Sequence, residues 1–356
     1  MVSADVEPAP RVRPQPLRWG ILGTARTAWK RTLPAMERSP SQKIVAIAGR
    51  TSEKVNVFAD RFSVPQRYAG DAFAQLIESP DVDAVYVPLP NALHAEWVVR
   101  ALNAGKHVLC EKPIALRLAE LERILEARAA SGRVLEENFS YACSPMFEYV
   151  RSQLDSGELG RIDSIAVRFS FPATREHETR FNRTLGGGSF LDVGCYGVDF
   201  VQRLLEDPIH EDFKIVAEPP GELQKSWGTG PEDPVDAECT FIGRTVSDVD
   251  VEIRTRFVGQ AQQSIVIAGE RGICFIPRAF HMEGRPAFVI SERDDGVTSR
   301  RFEVFDGDEA MLLRFREKVA RSEAPDPGEI LRWQRNAKVL ETVEASIQQQ
   351  LSRGRS

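Results

Sequence analysis

The stretch "VLCEKPIAL", Val108 to Leu116, sets Glu111, Lys112 and Pro113 directly behind a short apolar run. A lysine fixed between a carboxylate and a proline at a strand end is badly placed for mere solubility. It is well placed to meet a ligand; an ion pair with Glu111 is the bland alternative. A second candidate group is "GILGTARTA", in which Gly20, Gly23 and Ala25 follow a G-x-x-G-x-A spacing, with Thr24 and Arg26 in the same turn. Small residues at a strand–helix junction let backbone amides approach a pyrophosphate at the positive end of the following helix. The next strand, "VAIAGRTSEK", ends in Gly49, Arg50, Thr51 and Ser52, without the acid that usually holds the ribose hydroxyls of NAD. An arginine plane with two hydroxyls suits a 2′-phosphate, which favours NADP(H); a solvated arginine is the competing reading.

Those residues need a scaffold. From Leu17 to about Asn138, short apolar runs such as "LRWGILG", "KIVAIAG", "VDAVYVPLP" and "HVLCEKP" alternate with helical stretches. That alternation predicts a parallel, doubly wound (Rossmann) sheet covered on both faces, with its ligand at the carboxyl ends of the strands. Past residue 139, extended segments such as "DAECTFIG", "DVDVEIRTRF", "QSIVIAG" and "AFVISER" follow one another without helices, with hairpin turns at "AGERGI" and "ERDDGVT". They predict an α+β domain built on a large, mostly antiparallel open sheet, closed by a helix through "ILRWQRNAKVLETVEASIQQQ". The expected division is an arm over 1–16, a dinucleotide-binding domain over 17–138 and a substrate and oligomerisation domain over 139–356.

The bulk numbers exclude several classes. A chain of 356 residues with 42% hydrophobic and 28% charged residues is ordinary for a soluble two-domain protein. Its net charge of −6 supplies no basic field for nucleic acid or anionic lipid. No apolar run approaches the roughly 20 residues that span a bilayer. The proline-rich start has no signal-peptide core and reads as a disordered arm. The five cysteines and five histidines are scattered, which argues against a disulfide framework or a metal site and for a reducing cytoplasm.

In this order, "WGILGTA", "VPLPNALHAEW", "AGKHVLCEKP" and "LGGGSFLDVGCY" resemble the glucose–fructose oxidoreductase / inositol dehydrogenase / rhizopine-catabolism (Gfo/Idh/MocA) family. The resemblance runs from Leu17 to about Phe200. Within the family the chain looks most like NADP-dependent sugar 3-ketoreductases of deoxysugar biosynthesis, and it is also similar to aldose and dihydrodiol dehydrogenases. The likeness implies an oxidoreductase acting on a sugar or sugar-nucleotide carbonyl, and a homodimer or homotetramer. A non-catalytic NADP-binding sensor is the reading from another class.

The resemblance also implies roles. Glu111, Lys112 and Pro113 match the family's Glu-Lys-Pro motif, whose lysine stands beside nicotinamide and substrate, with a proline often preceded by a cis bond. Pro88, Leu89, Asn91 and His94 match the loop lining the nicotinamide and ribose. Asp192 and Tyr196 match a D-x-x-x-[His/Tyr] motif, and a spacing of four puts them on one helical face. Reduction of a ketone needs a hydride at carbon and a proton at oxygen. Lys112 would stabilise the oxygen and lower the pKa of the Tyr196 phenol, which would donate the proton, with Asp192 orienting Lys112 or a sugar hydroxyl. Ser144 stands where many relatives have a histidine, which leaves the substrate contacts open. Arg180 and Arg183 offer a grip for a substrate phosphate or form a solvated loop.

The cofactor reading is testable directly. Titrations should show NADPH binding at least tenfold tighter than NADH, about 1.4 kcal/mol. Arg50→Ala should weaken NADPH selectively; equal or tighter NADH binding by the parent protein defeats the assignment.

Overall fold

A computed structural model describes residues 15–174, 179–219, 234–282 and 284–353. Most of the expected N-terminal arm lies outside the described residues. The first sheet contains β1 (Leu17–Leu22), β2 (Gln42–Gly49), β3 (Gln66–Ala69), β4 (Ala84–Val87), β5 (His107–Cys110) and β6 (Leu135–Glu137), in the order 3-2-1-4-5-6. Every pairing is parallel. The central strands are apolar along their whole length because helices cover both faces: Ile21, Leu22, Val85, Tyr86 and Leu109 are fully buried. The order reverses between β1 and β4, so the crevice at the carboxyl ends of these two strands is the natural ligand position.

The second sheet contains β7 (Ile162–Ser170), β8 (Lys214–Glu218), β9 (Glu238–Arg244), β10 (Asp250–Arg256), β11 (Gln262–Gly269), β12 (Gly272–Ile276), β13 (Ala287–Arg293) and β14 (Gly296–Phe302). Its order is 14-13-12-11-7-10-9-8, antiparallel except where β7 meets β10. Both expected hairpins are present, joining β11 to β12 and β13 to β14. One face is buried under helices Pro145–Asp155 and Cys195–Leu205, through residues such as Ile165, Val167, Ile253 and Phe241.

Two helices return to the first domain. Helix Gly307–Arg321, which the sequence pattern did not suggest, is capped by Asp306, whose side chain accepts from the backbone N–H of Asp308 and Glu309. Its Met311, Leu312 and Phe315 complete the core around Trp19, with the Phe315 and Trp19 rings 5.1 Å apart. Helix Pro327–Arg353 spans both units: Trp333 and Ala337 belong to the first core, whereas Val339, Leu340, Val343 and Ile347 belong to the second. Below the cleft, buried Asp199 accepts from Tyr141 at 2.5 Å, Arg203 at 2.9 Å and Asn336 at 3.0 Å. That network ties the last described helix to the wall of the cleft. Among the described residues, no helix is long and apolar enough to cross a membrane. All five cysteines are free.

Truncating Phe315 should therefore loosen the first domain even though it lies in the distant third of the sequence. Urea unfolding of Phe315→Ala should show a loss of about 3–5 kcal/mol. A loss below about 1 kcal/mol would mean that this helix contributes little to that core.

Candidate functional site

A cleft of about 1820 Å³ runs between the two sheets, well above the volume of a usual single-ligand pocket. Gly23, Thr24, Ala25, Arg26, Arg50 and Thr51 line one arm of it. Gly23 has φ +120°, and a Cβ there would stand 3.0 Å from the Pro88 carbonyl oxygen, so the turn needs glycine. Gly20 has a different job. It lies within β1 and makes room for Leu76, which an added Cβ would meet at 2.5 Å, so its assignment to the cofactor is corrected to packing. Thr51 caps helix Ser52–Arg61, its Oγ1 accepting from Lys54 N–H at 3.4 Å; Ser52 begins that helix and does not line the cleft.

At the centre, Pro88, Leu89, Asn91, Glu111 and Lys112 face the cleft. His94 and Pro113 do not line it. His94 is fully buried behind the wall, with its ring nitrogens 2.7 Å from the Pro113 carbonyl and 2.8 Å from the Leu89 carbonyl. It joins the two loops rather than touching a ligand, which corrects its expected place in the lining. The Lys112–Pro113 bond is cis. Asn91 Nδ2 donates to the Gly186 carbonyl at 2.9 Å, and Glu111 Oε1 accepts from Tyr86 and Asn138, each at 2.7 Å.

The second domain reaches Lys112 through a tight loop. A Cβ on Gly187 would lie 2.4 Å from the Arg180 carbonyl oxygen, so only glycine lets this loop fold back and deliver the following turn. That turn, Phe190–Gly194, is a π-helical segment that carries Asp192, and Tyr196 follows on helix Cys195–Leu205. Lys112 Nζ donates to the Asp192 carbonyl at 2.5 Å and lies 3.2 Å from Asp192 Oδ1. The Tyr196 ring lies beneath the same ammonium, 5.0 Å from Nζ to centroid. Arg180 Nε donates to Asp192 Oδ2 at 2.6 Å. Arg180 lines the cleft and Arg183 does not, which corrects the reading of Arg183 as a grip for a substrate phosphate. Ser144 lines the cleft too, but its Oγ accepts from the Phe147 N–H at 3.1 Å and so caps a helix.

The electrostatics follow from burial and charge. Burial alone would raise the Asp192 carboxyl, but Arg180 and Lys112 outweigh it and hold it down at about 2. Burial pulls Lys112 down, but Asp192 and the groups beside it (Cys195, Tyr196 and Glu111) together outweigh it and keep the ammonium charged far above its ordinary range. Tyr196 departs from the sequence expectation. Its phenol is raised, because burial outweighs the pull of Lys112 and Arg31. The ammonium lies over the ring rather than at the oxygen, so it lowers the phenol too little to offset that burial.

Three more polar side chains belong to this centre and were missed in sequence. Arg31, on the π-helical turn Ala28–Thr32, contacts His281 and Asp308 on the far wall, and all three line the cleft. Their partners lie 250 and 277 positions away in the chain, so no local pattern pointed to them.

This fold and cleft define a class: a doubly wound nucleotide-binding domain joined to an open-sheet domain, with a buried lysine–aspartate pair where they meet. Two family profiles match the chain. "Oxidoreductase family, NAD-binding Rossmann fold" covers residues 17–139, and "GFO/IDH/MocA C-terminal domain" covers 147–274. The chain belongs to the Gfo/Idh/MocA family of oxidoreductases. A dTDP-3,4-didehydro-2,6-dideoxy-alpha-D-glucose 3-reductase from Actinomadura kijaniata is 41% identical over 51% of this chain, a match spanning only 54% of that relative. A protein of the same description from Saccharopolyspora spinosa is 32% identical over 80% of this chain and 81% of its own length. A 3-ketoreductase from Actinomadura kijaniata, solved with TDP-benzene and NADP, superposes with a TM-score of 0.80 at 29% identity, covering 92% of this chain and 96% of that one.

The ion pairs of Asp192 set a pH window. Its folded-state carboxyl lies below the ordinary 3.8, so their contribution is present above about pH 4 and is lost as pH falls towards 2. Asp192→Asn should be less stable than the parent near neutrality. Urea midpoints should show that gap narrowing by about 2 kcal/mol between about pH 5 and pH 2. A gap independent of pH would show that the carboxylate charge adds nothing.

Proposed function

We propose that this chain is an NADP(H)-dependent reductase of a keto-deoxysugar carried on a nucleoside diphosphate. One observation carries the reading: a charged lysine from the nucleotide-binding domain and a tyrosine from the other domain share one wall of the cleft. The glycine turn at Gly23 and the arginine at Arg50 fit a dinucleotide with a 2′-phosphate, and relatives of this chain were solved with NADP. When bound, the dinucleotide supplies the hydride.

The chain's own residues supply the rest. Lys112 offers an ammonium to the carbonyl oxygen and polarises the C=O bond. Tyr196, held protonated by its burial, gives its phenolic proton to that oxygen as the carbon gains the hydride, leaving a phenolate. Asp192 and Arg180 hold Lys112 in place, and Arg180 adds a positive charge on the substrate side of the cleft. Phe169, Phe171, Phe280 and Phe305 line the same side and give a base and sugar apolar surfaces to lie against. Five unpaired cysteines fit a cytoplasmic location. Exposed Val216, Ile242, Ile273, Phe288 and Val297 on the large sheet support pairing with a second copy as a homodimer or homotetramer.

NADPH consumption should be tested with a dTDP-linked 3-keto-6-deoxysugar beside D-xylose and a trans-dihydrodiol supplied with NADP. The nucleotide sugar should be preferred; preference for either of the others overturns the substrate assignment. On the preferred substrate, Lys112→Ala and Tyr196→Phe should each lower kcat by roughly 10²–10⁴. The double variant should lose far less than the product, because the two act on one oxygen. Full turnover by Tyr196→Phe would make the tyrosine a packing residue.

A further inference from the structure

A second polar group stands beside the phenol oxygen of Tyr196. His281 Nε2 lies 3.3 Å from it, and the two rings meet edge-on at 5.4 Å. Arg31 Nη1 lies 2.8 and 2.9 Å from the two ring nitrogens of His281. The guanidinium is itself fixed: Nε and Nη2 donate to Asp308 Oδ2 at 3.0 and 2.8 Å, and Nη2 donates to Ser140 Oγ at 3.0 Å. Asp308 uses its other oxygen to accept from Thr32 at 3.0 Å. Four separated parts of the chain thus converge on one phenol.

A guanidinium only donates, so the imidazole nitrogen that it engages must carry a lone pair, and His281 stays neutral. Burial and the Arg31 charge push its pKa in the same direction, well below the ordinary range. The groups facing Tyr196 are Lys112 and Glu111 behind β5, Arg31 on its π-helical turn, His281 beyond β12, and Cys195 on its own helix. The remaining walls are the rings of Phe139, Tyr141, Phe169 and Phe280. When the phenol gives up its proton, its O–H bond breaks, a new O–H forms on the former carbonyl oxygen, and a phenolate is left in an apolar wall. Lys112 covers the ring face. The positive charge on the oxygen side is Arg31, relayed through the polar edge of His281.

We infer that Arg31 and His281 are positioning residues for Tyr196, fixing its phenol oxygen at the cleft wall and stabilising the phenolate left by proton donation. The inference rests on Tyr196 being the proton donor of the proposed reaction. It divides between Lys112 and Arg31 a task that the sequence assigned to Lys112 alone, making the phenol acidic enough to act.

The test uses the full chain in the oxidation direction, with NADP and the dTDP-linked 3-hydroxysugar, across about pH 8 to 11.5, because burial holds the phenol above its ordinary value. The parent's rate should rise with pH throughout this range as the phenol begins to lose its proton, with a midpoint above 10. Arg31→Gln should lower kcat about 10- to 100-fold with KM changed less than about threefold, and should move the rise to higher pH by about one unit. Arg31→Lys keeps the charge and should recover part of that shift; His281→Gln should shift the rise in the same direction by less. Melting temperature and NADPH titration separate folding and cofactor binding from these effects. Loss of kcat with an unmoved pH midpoint, or a loss that follows the melting temperature, overturns the inference. So does a Lys variant no better than the Gln variant. A Tyr196→Phe protein that keeps both its rate and the parental midpoint overturns instead the reading of Tyr196 as donor. If Arg31→Gln does not fold, Arg31→Lys and His281→Gln carry the test: a raised midpoint in both supports the inference, and a parental midpoint in both overturns it.

Discussion

A lysine ammonium taken almost completely out of water is the constraint on which this site depends. Lys112 and Asp192 each keep only 11% side-chain exposure. Burying either charge alone would cost several kcal/mol, and burying them together is tolerable only with good geometry and further hydrogen bonds. Asp192 meets that condition with its carboxylate, its carbonyl and the added partner Arg180. Because one charge comes from each domain, the pair also fixes how the two units meet at the cleft. A pair of this kind is weak evidence for stability and stronger evidence for a site that needs a permanent positive charge.

The rest of the architecture brings those two residues together. The parallel sheet ends its strands in one crevice, which places the glycine turn, the Pro88 loop and the Glu111–Pro113 loop side by side. Buried His94 links the last two of these through their carbonyl groups. From the other side, glycines with no room for a Cβ fold the loop before Phe190 back on itself and against Asn91. The helices Gly307–Arg321 and Pro327–Arg353 then cross back to the first domain. They make the cleft a joint between packed bodies rather than a gap between tethered ones. Both π-helical turns carry residues of this centre, Arg31 and Asp192, in keeping with the tendency of such turns to occur at functional sites.

Much of this was legible in the sequence where the signal is local. Alternating strands and helices gave the first sheet, consecutive polar–apolar strands gave the second, and hairpin turns were marked by their charged and glycine residues. Asp192 and Tyr196 both reach Lys112, although the first lies on a π-helical turn and the second on the helix that follows it, because a short spacing and a strand-end lysine are geometric statements. The failures are where long-range packing decides. Gly20 reads as part of a phosphate turn until Leu76 is seen against it, and His94 reads as lining until both of its nitrogens are found against carbonyl groups. Arg31 and Asp308 are 277 positions apart, and each alone is one more surface charge. The direction of the Tyr196 pKa turned on burial, which the spacing of charged residues cannot show.

In the proposed reaction a hydride reaches a sugar carbon while Tyr196 delivers the proton to its oxygen. The most direct check is isotopic. NADPH deuterated at C4, in each of its two epimers, should be incubated with a dTDP-linked 3-keto-6-deoxysugar, and the product examined by mass spectrometry and NMR. One epimer should transfer a single deuterium to C3 of the sugar, and the other should transfer none. Deuterium at another carbon, or an unlabelled product from both epimers, would contradict that chemistry.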